Sequence, residues 1–510
     1  MRRTKKAIKN TLWTTVSYAL GMILGLIVQP IFIETLGTEY LGLSGLFSNV
    51  FSMISLLELG VGSSIVYHLY KPVAEGNIER IKSLMQFYKK CYRVVAGLVL
   101  VISLLVLPFL PNIVGNTSIG FSMVTGIYLL FMFDTVCSYL LSYKRSILYA
   151  TQNNYIIDAF HVVYIILLNL VEIVILFATH DYVLFLAIKI VLKILENLAI
   201  TVYVNRKFEK YCGVAVSLPK HILADIKKKV KGIFFHKIGV FLVAGTDNII
   251  ISMFLGVSTV GLYSNYNYII VAINTAINQV FRSLISGVGN LLVTEKTDHV
   301  FRTYRRLNFL NLWFAIMATT GIYVVMESFI SLWVGDEYIL AHNVLVALTI
   351  YEFVYLMKIT PSIFKEGSGI FYEDRFVPVL ESIVNIGMSI LLLQFFGLAG
   401  VFMGTICCHL ITHVYTYPAL VFKKVFHKKY TDYFKIVIPE LVLVTICVVI
   451  TAFISKMVVL DNPLLEVVKN VLLVLFVPNV IIWMVYHKYD EYKYFKNILS
   501  KPLRKLLKNK

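Results

Sequence analysis

Charged residues are scarce in this sequence. They make up 15% of its 510 residues, whereas about a quarter is usual for soluble globular proteins. Hydrophobic residues make up 58%. This balance excludes an ordinary soluble domain and indicates a polytopic membrane protein.

Motifs of soluble catalysis and nucleotide binding are also absent. The sequence contains no G-x-x-x-x-G-K-[ST] phosphate loop and no G-x-S-x-G nucleophile motif. Its six cysteines show no C-x-x-C spacing, which argues against a disulfide framework or a zinc cluster. We therefore expect no catalytic residue, no cofactor, no metal site and no direct use of ATP by this chain.

Lys and Arg are missing from every second connection between the apolar runs. The chain carries 47 of these residues and a formal net charge of +18, yet none lies in the turns at 34–40, 111–118, 179–182, 256–261, 335–338 and 397. Basic residues mark the cytoplasmic side of a membrane protein. Both termini are therefore predicted to be cytoplasmic, and this alternation gives no reason to expect nucleic acid as a partner.

Apolar runs long enough to cross a membrane recur along the chain. A hydrocarbon core about 30 Å thick needs about 20 helical residues. We count fourteen such runs, and predict an all-α fold with about 14 transmembrane helices. The runs are 11–33, 41–67, 94–114, 119–142, 156–178, 183–204, 233–255, 262–292, 307–334, 339–364, 377–396, 398–420, 434–456 and 464–486.

One short turn occurs twice. LGTEYLGL at 36–43 returns as LGVSTVGL at 255–262, which indicates two halves of similar design. Each half has an even number of helices, so the repeats are predicted to be parallel. The predicted domains are an N-lobe of six helices at 1–204, a cytoplasmic linker at 205–232, a C-lobe of six helices at 233–422, two extra helices at 423–486, and a basic cytoplasmic tail at 487–510.

Polar residues share faces of two predicted membrane helices. A charge at membrane depth costs roughly 2.5 to 3.5 kcal/mol, so such residues usually face a partner or a wet cavity. The sixth helix carries Lys189, Lys193 and Glu196, and the eighth carries Asn267, Asn274, Asn278 and Arg282. Either these residues line a cavity that binds an anion, or they hold helices together through Lys–Glu pairs and amide contacts.

Other intramembrane charges are candidates for ion binding. Lys358 is a second possible anion contact, unless its amine reaches the cytoplasmic surface. Glu58, Asp247 and Glu352 are candidates to bind a coupling H⁺ or Na⁺ ion, or to neutralise a basic neighbour.

Several motifs in matching order resemble one family. They are LGTEYLGL, LLELGVGSS at 56–64, TDNIII at 246–251 followed by LGVSTVGLYS, DRFVPVLE at 374–381, and GLAGV at 397–401. Together they are similar to the polysaccharide flippases of the multidrug/oligosaccharidyl-lipid/polysaccharide (MOP) exporter superfamily. Those proteins move lipid-linked repeat units of O-antigen, capsule or exopolysaccharide.

The resemblance implies two six-helix lobes around a cationic central cavity in the bacterial plasma membrane. It also implies a polyprenyl-diphosphate oligosaccharide substrate, alternating access, surrounding membrane lipids, and polysaccharide polymerases and glycosyltransferases as partners. The site residues are not taken from the family but follow from the helical faces. The predicted substrate-binding set is Arg282, Lys358, Lys189, Lys193, Asn278 and Asn274.

Three other functions stay open at this point. A cation-coupled multidrug exporter and a peptidoglycan-precursor flippase belong to the same superfamily, and a membrane polysaccharide polymerase uses the same lipid-linked substrates. The surplus of basic residues argues against a carrier of cationic drugs. The lack of a long outward loop argues against a polymerase, because catalytic residues are commonly presented on loops.

Overall fold

The computed structural model describes residues 2–58, 61–211, 213, 218–219, 222–226, 245–370 and 373–508. Nearly all of them are helical and none is in a strand, as expected where lipid cannot satisfy backbone polar groups. The all-α prediction is confirmed.

The first eleven helices lie between Arg2 and Arg282. They are α1 (Arg2–Leu36), α2 (Thr38–Ile54), α3 (Val61–Glu75), α4 (Ile78–Val106), α5 (Leu110–Val114), α6 (Phe121–Ser142), α7 (Arg145–Ala150), α8 (Asn154–Thr179), α9 (Tyr182–Lys207), α10 (245–255) and α11 (Val257–Arg282). Short 3₁₀ segments lie at Ser55–Glu58, Leu107–Phe109 and Glu209–Tyr211.

The remaining helices follow after a turn at Arg282. They are α12 (Ile285–Thr294), α13 (Thr297–Val334), α14 (His342–Met357), α15 (Ile359–Gly367), α16 (Val377–Phe396), α17 (Leu398–His409), α18 (Tyr417–Lys424), α19 (Thr431–Met457), α20 (Pro463–Tyr486) and α21 (Asp490–Lys508). A π-helical segment, Leu410–Thr416, joins α17 to α18, and a 3₁₀ turn lies at Asp336–Tyr338.

Eleven segments within the described residues are long and apolar enough to cross a membrane, so the chain is a multi-pass membrane protein. Three predicted runs are not among them. The run 41–67 is interrupted, the run 183–204 carries Lys189, Lys193 and Glu196, and most of 233–255 lies outside the described residues. Each of the other eleven runs overlaps one of these segments.

Several runs predicted to be single helices are in fact broken. The run 41–67 divides at Ser55–Glu58, and the run 339–364 divides at Lys358. Pro361 explains the second break, because it has no N–H to donate to the carbonyl of Met357. Pro418 similarly cannot bond the carbonyl of Val414, which accepts a hydrogen bond from the Tyr430 hydroxyl instead, at 3.0 Å.

The chain forms two compact units, Met1–Ser264 and Asn265–Lys510. In the first unit, α1 packs on α8 and α4 packs on α6. Leu43, Phe47 and Tyr128 are fully buried in its core. The predicted lobe boundaries at 204 and 233 stay a prediction, since much of the segment between them lies outside the described residues.

The second unit is built around the 38-residue helix α13, which packs against α14, α19, α20 and α21. Tyr304 of α13 lies among the rings of Phe364, Phe422 and Phe426. The outer faces of α19 and α20 expose apolar side chains, as Phe476 shows with 70% exposure. Such faces suit contact with lipid and fit the predicted pair of extra membrane helices.

The two copies of the repeated turn contact each other within the first unit. A Cβ placed on Gly42 would lie 2.0 Å from the carbonyl oxygen of Val257, and one on Gly261 would lie 2.2 Å from that of Thr38. Only glycine permits so close an approach of helix to backbone. The repeated glycines are therefore more than a sign of duplication, because they form the contact between α2 and α11.

Glu39, in the first turn of α2, ties the same region together. Its carboxylate accepts hydrogen bonds from the Thr117 hydroxyl at 2.7 Å, the Ser118 amide at 2.9 Å and the Ser258 hydroxyl at 3.3 Å. Nearby, the Ser252 hydroxyl donates to the carbonyl of Val114 at 2.8 Å. We call this arrangement of Glu39, Gly42, Val257, Ser258 and Gly261 the turn clasp.

We expect Gly42→Ala and Gly261→Ala to lower the melting temperature of the purified protein. Either methyl group would force α2 and α11 apart, and overpacking of this kind costs about 1 to 3 kcal/mol. Gly97→Ala on α4 is the control, because a Cβ there meets no atom within 4 Å. Melting of Gly42→Ala at the same temperature as Gly97→Ala would contradict the close contact.

Candidate functional site

Four of the predicted site residues meet in one polar network of the second unit. Glu352 of α14 is fully buried, and the side-chain amide of Asn274 donates to it at 2.9 Å. Asn278, one turn further along α11, donates to the Tyr355 hydroxyl at 3.2 Å. The two asparagines therefore hold α11 to α14 through side chains on one face, as their i, i+4 spacing predicts.

Lys358 closes this network at the break between α14 and α15. Its amine lies 4.1 Å from the centre of the Tyr355 ring, a cation–π contact. It also lies within electrostatic range of Glu381 and Glu352. Lys358 is half-buried among these groups, so in this structure it faces protein partners.

A buried acid and imidazole extend the network onto α16 and α17. His409 lies 3.3 Å from the Glu381 carboxylate, and both are almost fully buried. The Tyr351 ring stacks on His409, and the Cys408 thiol donates to the backbone carbonyl of Glu381 at 3.2 Å. We call Asn274, Asn278, Glu352, Tyr355, Lys358, Glu381 and His409 the α11–α17 network.

The chemistry of these donors would also suit a metal ion. Glu381, Cys408 and His409 each offer one ligand atom, all within 4.8 Å of one another. In the sequence, His409 and His413 are spaced i, i+4, as two metal ligands on one helix face could be, but no H-E-x-x-H motif accompanies them. The absence of a metal site remains an expectation. The side chain of His413 lies outside the described residues.

Arg282 stands apart from these contacts. It is the last residue of α11 and is exposed. It makes no hydrogen bond or ion pair with any described residue. Its positive charge acts on Tyr355 through space. An unpaired guanidinium at the end of an apolar helix is free to bind an anion.

In the first unit, Lys193 has a carboxylate partner. Glu196 is buried and accepts a hydrogen bond from the Lys193 amine at 2.8 Å. Arg145 and His161 lie 3.2 and 3.3 Å from the same carboxylate. Lys193 thus takes part in the Lys–Glu pairing that its spacing also allowed.

Lys189, one turn before Lys193, is exposed. It makes no hydrogen bond or ion pair within the described residues. Asp134 of α6 and Glu172 of α8 lie within electrostatic range of its amine. Its charge is therefore available to a ligand more readily than that of Lys193.

Glu58 and Asp247 also lie in the first unit. Glu58 ends the 3₁₀ segment after α2 and accepts a hydrogen bond from the Tyr92 hydroxyl. Tyr88 in turn donates to Tyr92 at 2.7 Å. Asp247 is half-buried on α10, close enough to Tyr263 to act on it electrostatically.

Sequence reasoning missed Tyr355 and undervalued Glu381 and His409. No periodic signal separates Tyr355 from the other 31 tyrosines of the chain. Glu381 and His409 did carry a signal, since Glu381 is the one charged residue of its apolar run and His409 is one of two histidines in the next run. Their mutual contact depends on the pairing of α16 with α17.

The fold matches solved membrane transporters. Twenty-three solved chains match it. A multidrug-resistance MATE-family transporter of the MOP superfamily, in an inward-facing conformation, matches with a TM-score of 0.65 at 14% identity, covering 79% of this chain and 92% of that one. This is the fold of MOP-superfamily transporters. No protein-family model and no curated protein matches the sequence.

Two further structures show the same fold with different coverage. The lipid II flippase MurJ, in an inward closed conformation, has a TM-score of 0.64 and 15% identity, and the match covers 94% of this chain and 99% of that one. The Vibrio cholerae MATE transporter VcmN has a TM-score of 0.56 and 15% identity, with 84% and 99% covered.

We expect the charges of Lys358 and Glu381 to be coupled. Glu381→Gln removes a negative charge that opposes the Lys358 amine, and Lys358→Met removes the positive charge that opposes the Glu381 carboxylate. Each single variant should lower the melting temperature, while the double variant should lose less than both losses together, a coupling of about 1 kcal/mol.

The control is the exposed Lys435–Asp432 pair at the start of α19, at 2.8 Å. Surface pairs of this kind contribute little to stability. The losses from replacing Lys435 and Asp432 singly should therefore add up to the loss in the double variant. Additive losses for Lys358 and Glu381 as well would show that the two charges do not interact.

Proposed function

We propose that this chain is a flippase. It carries polyprenyl-diphosphate-linked oligosaccharide repeat units from the cytoplasmic to the outer leaflet of the bacterial plasma membrane for surface polysaccharide synthesis. The observation that carries this proposal is the presence of Arg282 and Lys189 on polar helical faces with no hydrogen-bonded or ion-paired partner in the described part of the chain. The MOP-superfamily fold supports a transporter.

An anionic headgroup would offset these charges. Unpaired cations on membrane helices are rare and expensive, and a diphosphate supplies acceptors that a guanidinium binds in pairs. We assign the diphosphate to Arg282, with Lys358 as a second cationic contact in the same unit. Lys189 is proposed separately, as a cationic contact of the first unit. Asn274 and Asn278 contribute to the site by holding Glu352 and Tyr355 in place. Lys193 is paired with Glu196 and contributes mainly by orienting that carboxylate.

Glu352 is our candidate for binding the coupling ion. One of its carboxylate oxygens and the side-chain oxygen of Asn274 are buried without a hydrogen-bond partner. Two neighbouring acceptors without a donor suit a proton or Na⁺. Glu58 and Asp247 stay candidates for the same role. The membrane potential also favours outward movement of an anion, by about 2.3 kcal/mol per charge per 100 mV.

The runner-up is a flippase for the peptidoglycan precursor, and one observation favours it. The match to the lipid II flippase leaves 6% of this chain uncovered, about 31 residues, which is fewer than α19 and α20 contain together. The match to the inward-facing MATE transporter leaves 21% uncovered. A lipid-linked substrate is therefore better supported than a drug, and both flippase functions share that chemistry.

Deletion of the gene should cause lipid-linked repeat units to accumulate on the cytoplasmic side of the membrane. Arg282→Ala should reduce complementation at least tenfold, because a charged hydrogen bond contributes roughly 1.5 to 3 kcal/mol. Arg282→Lys should fall between. The measurement is the amount of surface polysaccharide and the sidedness of the repeat units, normalised to protein in the membrane.

Arg302→Ala is the matched control, since Arg302 is exposed on α13 and forms no ion pair within the described residues. Full complementation by Arg282→Ala would remove the diphosphate assignment. Accumulation of unpolymerised units outside would favour a polymerase. Accumulation of peptidoglycan precursor would select the runner-up. Uptake of cationic dyes that depends on Glu58, Asp247 or Glu352 would favour a drug exporter.

We further propose that the turn clasp is an outward gate. Partial burial acts to raise the pKa of Glu39, but hydrogen bonds from Thr117, Ser118 and Ser258 outweigh it, so the pKa lies below its ordinary value. The clasp therefore favours the ionised carboxylate. Its contribution is complete above the ordinary pKa and is lost as the pH falls through the lowered value.

Glu39→Gln should raise several-fold the labelling of a cysteine at Thr38 by a membrane-impermeant maleimide added outside. The chain that retains Glu39 should show the same increase only at a pH below the ordinary pKa of a glutamate, because the pKa of Glu39 is lowered. Glu337→Gln, on the turn after α13, is the control and should change nothing. Equal labelling with and without the Glu39→Gln substitution across transport conditions would contradict the proposal that the turn clasp is a gate.

A further inference from the structure

A cavity of about 450 Å³ lies in the first unit, and none of its lining residues belongs to the α11–α17 network. Helices α3, α4 and α7, with the ends of α6 and α8, enclose it. Its volume falls within the range of small-molecule sites, roughly 300 to 1,000 Å³. The cavity is therefore large enough for a ligand and too large for a single ordered water.

Four tyrosines line the cavity: Tyr70, Tyr88, Tyr92 and Tyr149. A tyrosine presents an apolar ring face together with a polar hydroxyl. Four of them around one space suit a ligand that has both C–H surfaces and polar groups. A purely apolar lipid tail would use the ring faces and none of the polar groups of the wall.

The carboxylate of Glu58 forms part of the wall and is held in place. Tyr92 donates to it, and Tyr88 donates to Tyr92 at 2.7 Å. Gly62 lies against all three: a Cβ there would be 2.7 Å from the Glu58 carboxylate and 2.9 Å from the Tyr88 hydroxyl. Glycine at this position keeps the acceptor accessible from the cavity.

Two further lining residues have polar atoms without partners. The Nε of Arg145 and the side-chain oxygen of Asn154 are buried and make no hydrogen bond. The Nη2 of Arg145 is already bonded to Glu196 and Asn197, so its orientation is fixed. Buried polar atoms normally have partners, and here one donor and one acceptor without a partner belong to residues of the cavity wall.

The charges of the wall select the ligand class. A phosphate would meet the carboxylate of Glu58, and an organic cation would meet the guanidinium of Arg145. An uncharged polyhydroxylated ring can donate to Glu58 and Asn154, accept from Arg145, and lay its C–H face on a tyrosine ring. Such a ligand satisfies both unpartnered atoms and adds no charge to the wall.

We propose that this cavity binds one uncharged sugar residue of the transported glycan, an inference that rests on the proposed flippase function. Glu58 and Asn154 accept from its hydroxyls, Arg145 Nε donates to it, and Tyr149 stacks on it. The sugar site lies within the first unit. In this site Glu58 acts as a hydroxyl acceptor.

The test uses the full chain in lipid nanodiscs and saturation-transfer NMR with four methyl glycosides: glucoside, galactoside, rhamnoside and N-acetylglucosaminide. At least one should bind. Asn154→Ala and Tyr149→Ala should weaken binding about tenfold or more, and Tyr149→Phe should retain most of it because the ring remains. Tyr67→Ala, on the exposed face of α3 and outside the cavity lining, should bind as the wild type does.

Three results would overturn the assignment: no binding of any glycoside, loss of binding in Tyr67→Ala equal to that in Asn154→Ala, or displacement of the glycoside by tetraethylammonium or pyrophosphate. The result is separable from the flippase proposal. If glycosides bind the purified chain in a way that depends on Asn154, but the deletion strain accumulates no repeat units inside, the sugar site is retained and the flippase function is rejected. Accumulation inside without glycoside binding does the reverse.

Discussion

The absence of water from the membrane interior is the constraint on which this structure depends. Each buried polar group must find a partner within the protein, and several do so across helices. Asn274 donates to Glu352, Arg145 to Glu196, and Asn308 to Glu440 at 2.6 Å. Groups without a partner in the described residues, such as the exposed Arg282 and the buried Nε of Arg145, are therefore the informative ones. Both proposals for ligand binding begin from them.

The same constraint explains why glycine and proline mark the functional regions. Glycine lets two backbones approach in the turn clasp, where side chains would separate α2 from α11. Proline removes one backbone donor and so opens a helix, as Pro361 does beside Lys358. The opened turn places Lys358 between two helices, next to Tyr355 and in range of two carboxylates. Breaks in the membrane helices thus coincide with the charged groups.

Much of the fold was predictable from the sequence, because apolar length and the positions of Lys and Arg determine where membrane helices begin and end. The site was predictable only in part. Helical spacing brought Asn274 and Asn278 together correctly, since spacing along one helix is a local property. Whether a carboxylate meets further partners depends on the neighbouring helices. The spacing of Lys193 and Glu196 on one helix allowed their pair, but no sequence pattern indicated that Arg145 and His161 reach the same carboxylate. The tyrosine-lined cavity required the packing of five helices.

Helix α13 gains several of its partners late in synthesis. Asn308 pairs with Glu440, Trp313 with Asn479 at 2.9 Å, and Arg305 with Glu491 at 3.0 Å. These partners follow α13 by 132, 166 and 186 residues. A ribosome adds about 5 to 20 residues per second, so these partners are synthesised roughly 7 to 40 seconds after α13. The second unit can therefore complete its packing only near the end of synthesis, when α19, α20 and α21 have been made.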